Sequence, residues 1–194
     1  MPIRNTTERW GWVSIGFHWL TVVLVLGLLV VGLVMQELPT SRTKMDVYAL
    51  HKSIGLTVMA LTLLRLGWRL VAGTPEPVPG TPRWQVLAAQ AAHGALYVVL
   101  LAMALSGWLY HSASGIPVKL MWFGLFEVPE LSGRDEGVAD FAVAAHGWLW
   151  VVLLALVLVH AGAALKHHYF NRDATLARML PGLPPPGPRP GKDS

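Results

Sequence analysis

His146 and His160 stand fourteen residues apart within the uncharged stretch FAVAAHGWLWVVLLALVLVHAGAAL. On a helix turning about 100° per residue, the two imidazoles share a face, roughly 40° apart. At about 1.5 Å rise per residue they are separated by roughly 21 Å along the axis. That is most of a bilayer's hydrocarbon core, about 30 Å thick. One helix thus carries a ring near each side of a membrane, both aimed the same way, as two stacked cofactors would require. A polar ring at such depth is expensive and points to function.

Six of the eight histidines fall at matched depths. His18, His93 and His160 form an inner group. His51, His111 and His146 form an outer one. Zinc would want a third or fourth ligand, commonly Cys, His or carboxylate. The chain has no cysteine and the span interiors have no Asp or Glu. An ion or proton transporter would usually place a carboxylate at mid-depth. Haem needs only two axial ligands from facing helices and accepts an apolar pocket. Without cysteine it must be held non-covalently. Pairing by depth assigns His18 with His160 and His51 with His146. Closing both axial positions favours electron transfer over oxygen binding.

Other residues take supporting roles. Arg65 lies fourteen residues after His51, on nearly the same face and at the inner level, where it can clamp a propionate. Arg69, a turn further, reads as an interfacial anchor. His93 is placed to bond an inner propionate or quinone, or to be a satisfied interhelical group. His167, seven residues after His160, faces the bundle at the inner boundary, where it can donate to a quinone carbonyl or to a propionate, and is a candidate quinone-site residue. His168 points to headgroups, and His111 is expected to face solvent at its helix end. Gly16, Gly55, Gly94, Gly147 and Gly162 flank the histidines, where they admit a porphyrin face or close helix packing.

The elements that must position these residues follow from composition. The chain is 54% hydrophobic and only 13% charged, far from the quarter charged of a soluble domain, so a membrane protein is expected. Runs at about 12–35, 47–71, 86–111 and 141–166 are long enough to span. The first reads as a retained span, since it lacks a small-residue cleavage site. Residues 1–11 form an N-terminal segment, 12–180 the membrane domain, and the proline-rich 181–194 a disordered tail. Ten basic residues lie on the side of both termini: Arg4, Arg9, Arg65, Arg69, Arg83, Lys166, Arg172, Arg178, Arg189 and Lys192. Five lie opposite: Arg42, Lys44, Lys52, Lys119 and Arg134. That bias places both termini in the cytoplasm. The net charge of +4 is a topology signal rather than a nucleic-acid footprint, because no basic stripe with interleaved aromatics occurs. In the third connection, Trp122, Phe123 and Phe126 near Lys119 read as an aromatic interfacial helix or as a lid over the outer cofactor. Lys119, Lys52 or Arg134 would then steer an anion.

FHWL around His18, LHKSIG around His51, LLRLGWRL, AAHGALY at His93, WFGLF in the outer loop and KHHYFNRDATLARMLP after His160 together resemble the bacterial cytochrome b561 family, over about residues 8–181. The resemblance implies an all-α, integral membrane four-helix bundle of the bacterial inner membrane with two b haems bound between helices. It maps the haem ligands onto His18, His51, His146 and His160. It implies one-electron transfer between an outer-face donor, superoxide in some members, and membrane ubiquinone, the activity of a superoxide:quinone oxidoreductase. The arrangement is also similar to the cytochrome b subunits that anchor larger respiratory dehydrogenases, whose partner would be a large soluble protein. The absence of an extra span and of extended loops favours the stand-alone type.

Overall fold

The computed structural model describes residues 2–184. Four helices long and apolar enough to cross a membrane make up most of it. They are α1 (Trp12–Glu37), α2 (Arg42–Ala72), α3 (Arg83–Ala113) and α4 (Glu136–Lys166). A π-helical turn, His167–Asn171, continues α4. Most of the proline-rich tail, 185–194, lies outside the described residues; 181–184 belong to a turn in which Leu183 N–H donates to the Leu180 carbonyl at 3.2 Å.

The helices run past the apolar windows because their first turns are polar and capped. Ser41 Oγ accepts from Lys44 N–H at 3.2 Å, starting α2 before its hydropathy rises. Asp135 Oδ1 accepts from Val138 N–H at 3.0 Å and caps α4. Pro82 precedes α3, needing no donor there. Gly73, at φ 68°, closes α2 in the left-handed conformation with its N–H on the Arg69 carbonyl at 3.1 Å.

Long apolar side chains point outward, Leu70 with 87% of its surface exposed and Phe170 with 76%. That is the disposition of a lipid-facing surface, where water offers no penalty to avoid. Hydroxyls within the spans turn instead to their own helix. Ser53, Thr57 and Thr62 donate to the carbonyls four residues back at 2.7–2.9 Å. In hydrocarbon no water would satisfy them.

Packing divides the chain into two units. The terminal-side unit holds the described residues up to His18, Arg65–Leu96 and those from Leu154 onward. Here Asn5 is the tie. Its amide N–H donates to the Gly73 carbonyl at 2.8 Å, and its Oδ1 accepts from Gly11 N–H at 2.9 Å and Ser14 Oγ at 2.7 Å. Ser14 Oγ accepts in turn from the Trp68 indole at 3.1 Å. Gly11 is required by space: a Cβ would stand 2.4 Å from the Ile3 carbonyl oxygen.

The loop-side unit is Trp19–Leu64 with Tyr97–Leu153. Its connection 114–135 carries a two-stranded antiparallel hairpin, β1 (Met121–Trp122) and β2 (Phe126–Glu127), where an aromatic interfacial helix was one expectation. Phe123 and Gly124 both take positive φ, 49° and 72°, which turns the chain back instead of coiling it. The hairpin is bonded to α2. Phe123 N–H donates to Ser53 Oγ at 3.0 Å, the Met121 carbonyl lies 3.2 Å from the same hydroxyl oxygen, and the Trp122 indole donates to Thr57 Oγ1 at 3.1 Å.

Candidate functional site

The loop-side unit brings His51 of α2 and His146 of α4 together, with ring centres 6.3 Å apart. The His146 Nδ1 lies 3.0 Å from both the Met103 carbonyl and Ser106 Oγ. Ser106 Oγ itself donates to the Met103 carbonyl at 2.9 Å. An imidazole whose Nδ1–H is held on a carbonyl keeps its Nε2 lone pair free, the tautomer a metal ligand needs. The ring is pressed against Gly107: a Cβ there would be 3.2 Å from His146 Cε1. His51 packs on Gly32 similarly, with 3.5 Å from such a Cβ to its Cε1, and its buried Nδ1 has no hydrogen-bond partner among the described residues. Both rings line a mostly apolar cleft with Gly55, Val58, Leu100, Met103 and Trp150. A Cβ on Gly55 would meet no atom within 4 Å, and the same holds for Gly16, Gly94, Gly147 and Gly162. Close helix packing, one reading of these five glycines, is therefore not their role; they leave flat backbone open.

The terminal-side unit brings together His18, His93 and His160. His18 and His160 have ring centres 6.2 Å apart, and His93 stands 5.3 Å from His160. Arg65 reaches this level as its spacing predicts and donates from Nη2 to His18 Nδ1 at 3.3 Å. His167 is in the π-helical turn. Its Nδ1–H donates to Asp173 Oδ2 at 2.5 Å, both side chains being 18% exposed, and the Asn171 amide lies 3.2 Å from the same nitrogen. Burial alone would raise the Asp173 carboxyl. Hydrogen bonds from His167 and from the hydroxyl and N–H of Thr175 outweigh it and hold the group below the ordinary 3.8. His168 is half-buried, and its Nδ1 has no hydrogen-bond partner among the described residues.

Two further expectations change. His111, placed at the solvent by its helix-end position, is only 5% exposed, because the 114–135 connection folds over it. Its Nδ1 accepts from Lys52 Nζ at 3.5 Å. Lys119 pairs with Glu127 across the hairpin at 2.5 Å, and Arg134 stands 3.6 Å from Glu136, so each of these exposed cations has a carboxylate beside it. Sequence reasoning missed Ser106, Gly32, Gly107 and Asp173. Only the first three lie in spans, and an interior hydroxyl and two unremarked glycines were the available signal.

The arrangement is that of a membrane protein with histidine pairs facing each other from different helices. The profile of the family described as prokaryotic cytochrome b561 matches residues 9–182, and the chain belongs to that family. It is 40% identical over 181 residues to cytochrome b561 homolog 2 of Escherichia coli K12, covering 93% of this chain and 95% of that one. Cytochrome b561 homolog 1 of the same organism is 30% identical, with 90% and 98% covered. The probable superoxide oxidase CybB of Yersinia pestis is 28% identical, with 90% and 97% covered. Membership brings b-type haem binding and electron transfer within a membrane.

Proposed function

We propose that the protein binds two b haems, each between two histidines, and passes electrons from a one-electron donor at the outer face to ubiquinone. His51 and His146 are the ligands at the loop-side level, His18 and His160 those at the terminal-side level. The observation that carries this is the ring spacing. Two imidazoles on opposite sides of one metal ion, with about 2 Å from metal to nitrogen and about 1.1 Å from nitrogen to ring centre, have centres roughly 6 Å apart. The two pairs have 6.2 Å and 6.3 Å. His93, at 5.3 Å from His160, is too close to be that ligand's opposite and is a neighbour instead. The apolar cleft and the open glycine faces fit a flat, greasy macrocycle.

The haem supplies reversible one-electron chemistry; the chain holds and tunes it. The Met103 carbonyl and Ser106 fix the His146 tautomer. Arg65 can only donate, and a histidine coordinating through Nε2 keeps its proton on Nδ1. With haem bound, the guanidinium would leave His18 and be available to hold a propionate. His167, oriented by Asp173 through Nδ1, stands at the terminal-side boundary, where its Nε2 would donate to a quinone carbonyl once the ring carries a second proton, with His93 as the nearer alternative for a propionate. The donor is superoxide by likeness to the Yersinia pestis protein. The basic bias places the termini, and hence the quinone level, on the cytoplasmic side of the inner membrane.

The test is reduction of a soluble ubiquinone analogue by enzymatically generated superoxide, with purified protein in detergent. Quinol formation that superoxide dismutase abolishes is expected. Quinol formation at the rate without the protein would remove superoxide as donor. His167→Ala with both haems retained should slow the quinone step; unchanged kinetics would remove His167 from the site.

A further inference from the structure

The five basic residues of the loop-side end divide sharply by partner. Lys119 and Arg134 are exposed and each has a carboxylate beside it, Glu127 and Glu136. Lys44 donates to the Leu38 carbonyl at 2.7 Å and the Gln36 carbonyl at 3.4 Å, the free carbonyls at the end of α1. Arg42 is exposed in the first turn of α2. Lys52 is half-buried, as Lys44 is, but it has no carbonyl to donate to, and among the described residues it makes no ion pair. Its one hydrogen-bond partner there is a ring nitrogen, His111 Nδ1 at 3.5 Å. His111 is in turn bonded to the backbone of Val118 and feels the charge of Glu130.

A half-buried ammonium without a carboxylate pays desolvation that no counter-ion offsets. Such a group is stabilised by an arriving anion. Lys52 also directly follows His51, and the hairpin is bonded to the next residue, Ser53, through Phe123 N–H. The cation is thus held at the hairpin's edge, one residue from a proposed haem ligand.

We propose that Lys52, braced by His111, is the docking site for a small anionic one-electron donor. The inference rests on the two-haem reading and deepens it by assigning the donor end. The docked anion gives up one electron and leaves one charge less negative. The electron reduces the loop-side ferric iron to ferrous, and no bond or proton is transferred. Lys119 and Arg134 take no part.

The test uses the haem-loaded protein, wild type, Lys52→Gln and Lys52→Arg. One arm follows loop-side haem reduction in stopped flow at about pH 6 by dithionite, whose active species is the SO2 radical anion, and by uncharged reduced riboflavin. Lys52→Gln should slow the dithionite arm about threefold to tenfold at low salt, converge with wild type at high salt, and leave the riboflavin arm unchanged. Lys52→Arg should retain the wild-type rate. The second arm measures the midpoint potentials while perchlorate replaces gluconate at fixed ionic strength. A saturable fall at the loop-side haem is expected in wild type and absent in Lys52→Gln. Equal slowing by both donors would overturn the proposal, because the charge would then act only through the haem potential. So would a perchlorate response that persists in Lys52→Gln. If perchlorate does nothing in wild type and Lys52→Gln loses the loop-side haem, the anion at Lys52 is a propionate, and the docking proposal fails. A wild type with a single haem would overturn both readings; two haems with equal slowing would overturn this one alone.

Discussion

Removing the Ser106 hydroxyl should raise the potential of one haem and leave the other where it was. Ser106 Oγ and the Met103 carbonyl both stand 3.0 Å from His146 Nδ1. They accept its proton and push electron density onto Nε2, which favours the ferric state of a bound iron. A neutral hydrogen bond contributes about 0.5–1.5 kcal/mol net. If all of it favoured the ferric form, its loss would raise a one-electron potential by about 20–60 mV, taking about 59 mV per tenfold change in equilibrium constant. Ser106→Ala leaves the Met103 carbonyl in place, so the expected rise is in the lower half, about 20–40 mV. The assay is a redox titration followed optically, with the two haems resolved by their potentials. His51→Ala, expected to lose the loop-side haem, identifies which step has moved. No movement of either potential, or movement of both together, would refute the reasoning that this hydroxyl acts through His146.

Gly107→Val should disturb the same level by crowding, because even a Cβ comes within 3.2 Å of the His146 ring; loss of loop-side haem with the terminal-side haem retained is expected, and full occupancy of both would show that the ring can move aside. Gly11→Ala should destabilise the terminal-side unit by forcing apart backbone that stands 2.4 Å from the new Cβ, read as a lower thermal midpoint of haem release; an unchanged midpoint would contradict it. Asp173 has a depressed carboxyl pKa, so its contribution is fully present above the ordinary 3.8 and is lost as pH falls below that value through the folded one. Hydrogen exchange at the Thr175 amide, bonded to Asp173 Oδ1 at 2.9 Å, should therefore speed up in that acid window beyond the intrinsic change, whereas Asp173→Asn should exchange fast already at neutral pH and show no such transition.

Much of this site was legible because membranes make polar residues conspicuous. A histidine at depth in an apolar run needs a reason, and depth alone pairs His18 with His160 and His51 with His146. The same logic reached Arg65. Local chemistry escaped where the period breaks or where the partner is distant. The 100° rule assumes an unbroken α-helix, but the chain widens into a π turn after Lys166, and His168 is half-buried there. The WFGLF segment has the aromatics of an interfacial anchor, which fit a helix or a loop alike, and a left-handed pair at Phe123 and Gly124 reverses it into a hairpin. Ser106 is forty residues from His146 in sequence, and a single hydroxyl in a span announces nothing by itself. Hydropathy windows stopped short of the true helix ends because caps such as Ser41 and Asp135 are polar by necessity.

The central claim is that each histidine pair holds its own haem, and haem stoichiometry in single-ligand variants tests it most directly. Pyridine haemochrome quantification against protein mass should give about two haems per chain in wild type and about one in each of His18→Ala and His51→Ala, two axial positions being needed for each iron. The surviving haem should differ between the variants, with a different potential and reduced spectrum. One haem in wild type, or loss of the same haem in both variants, would contradict the account.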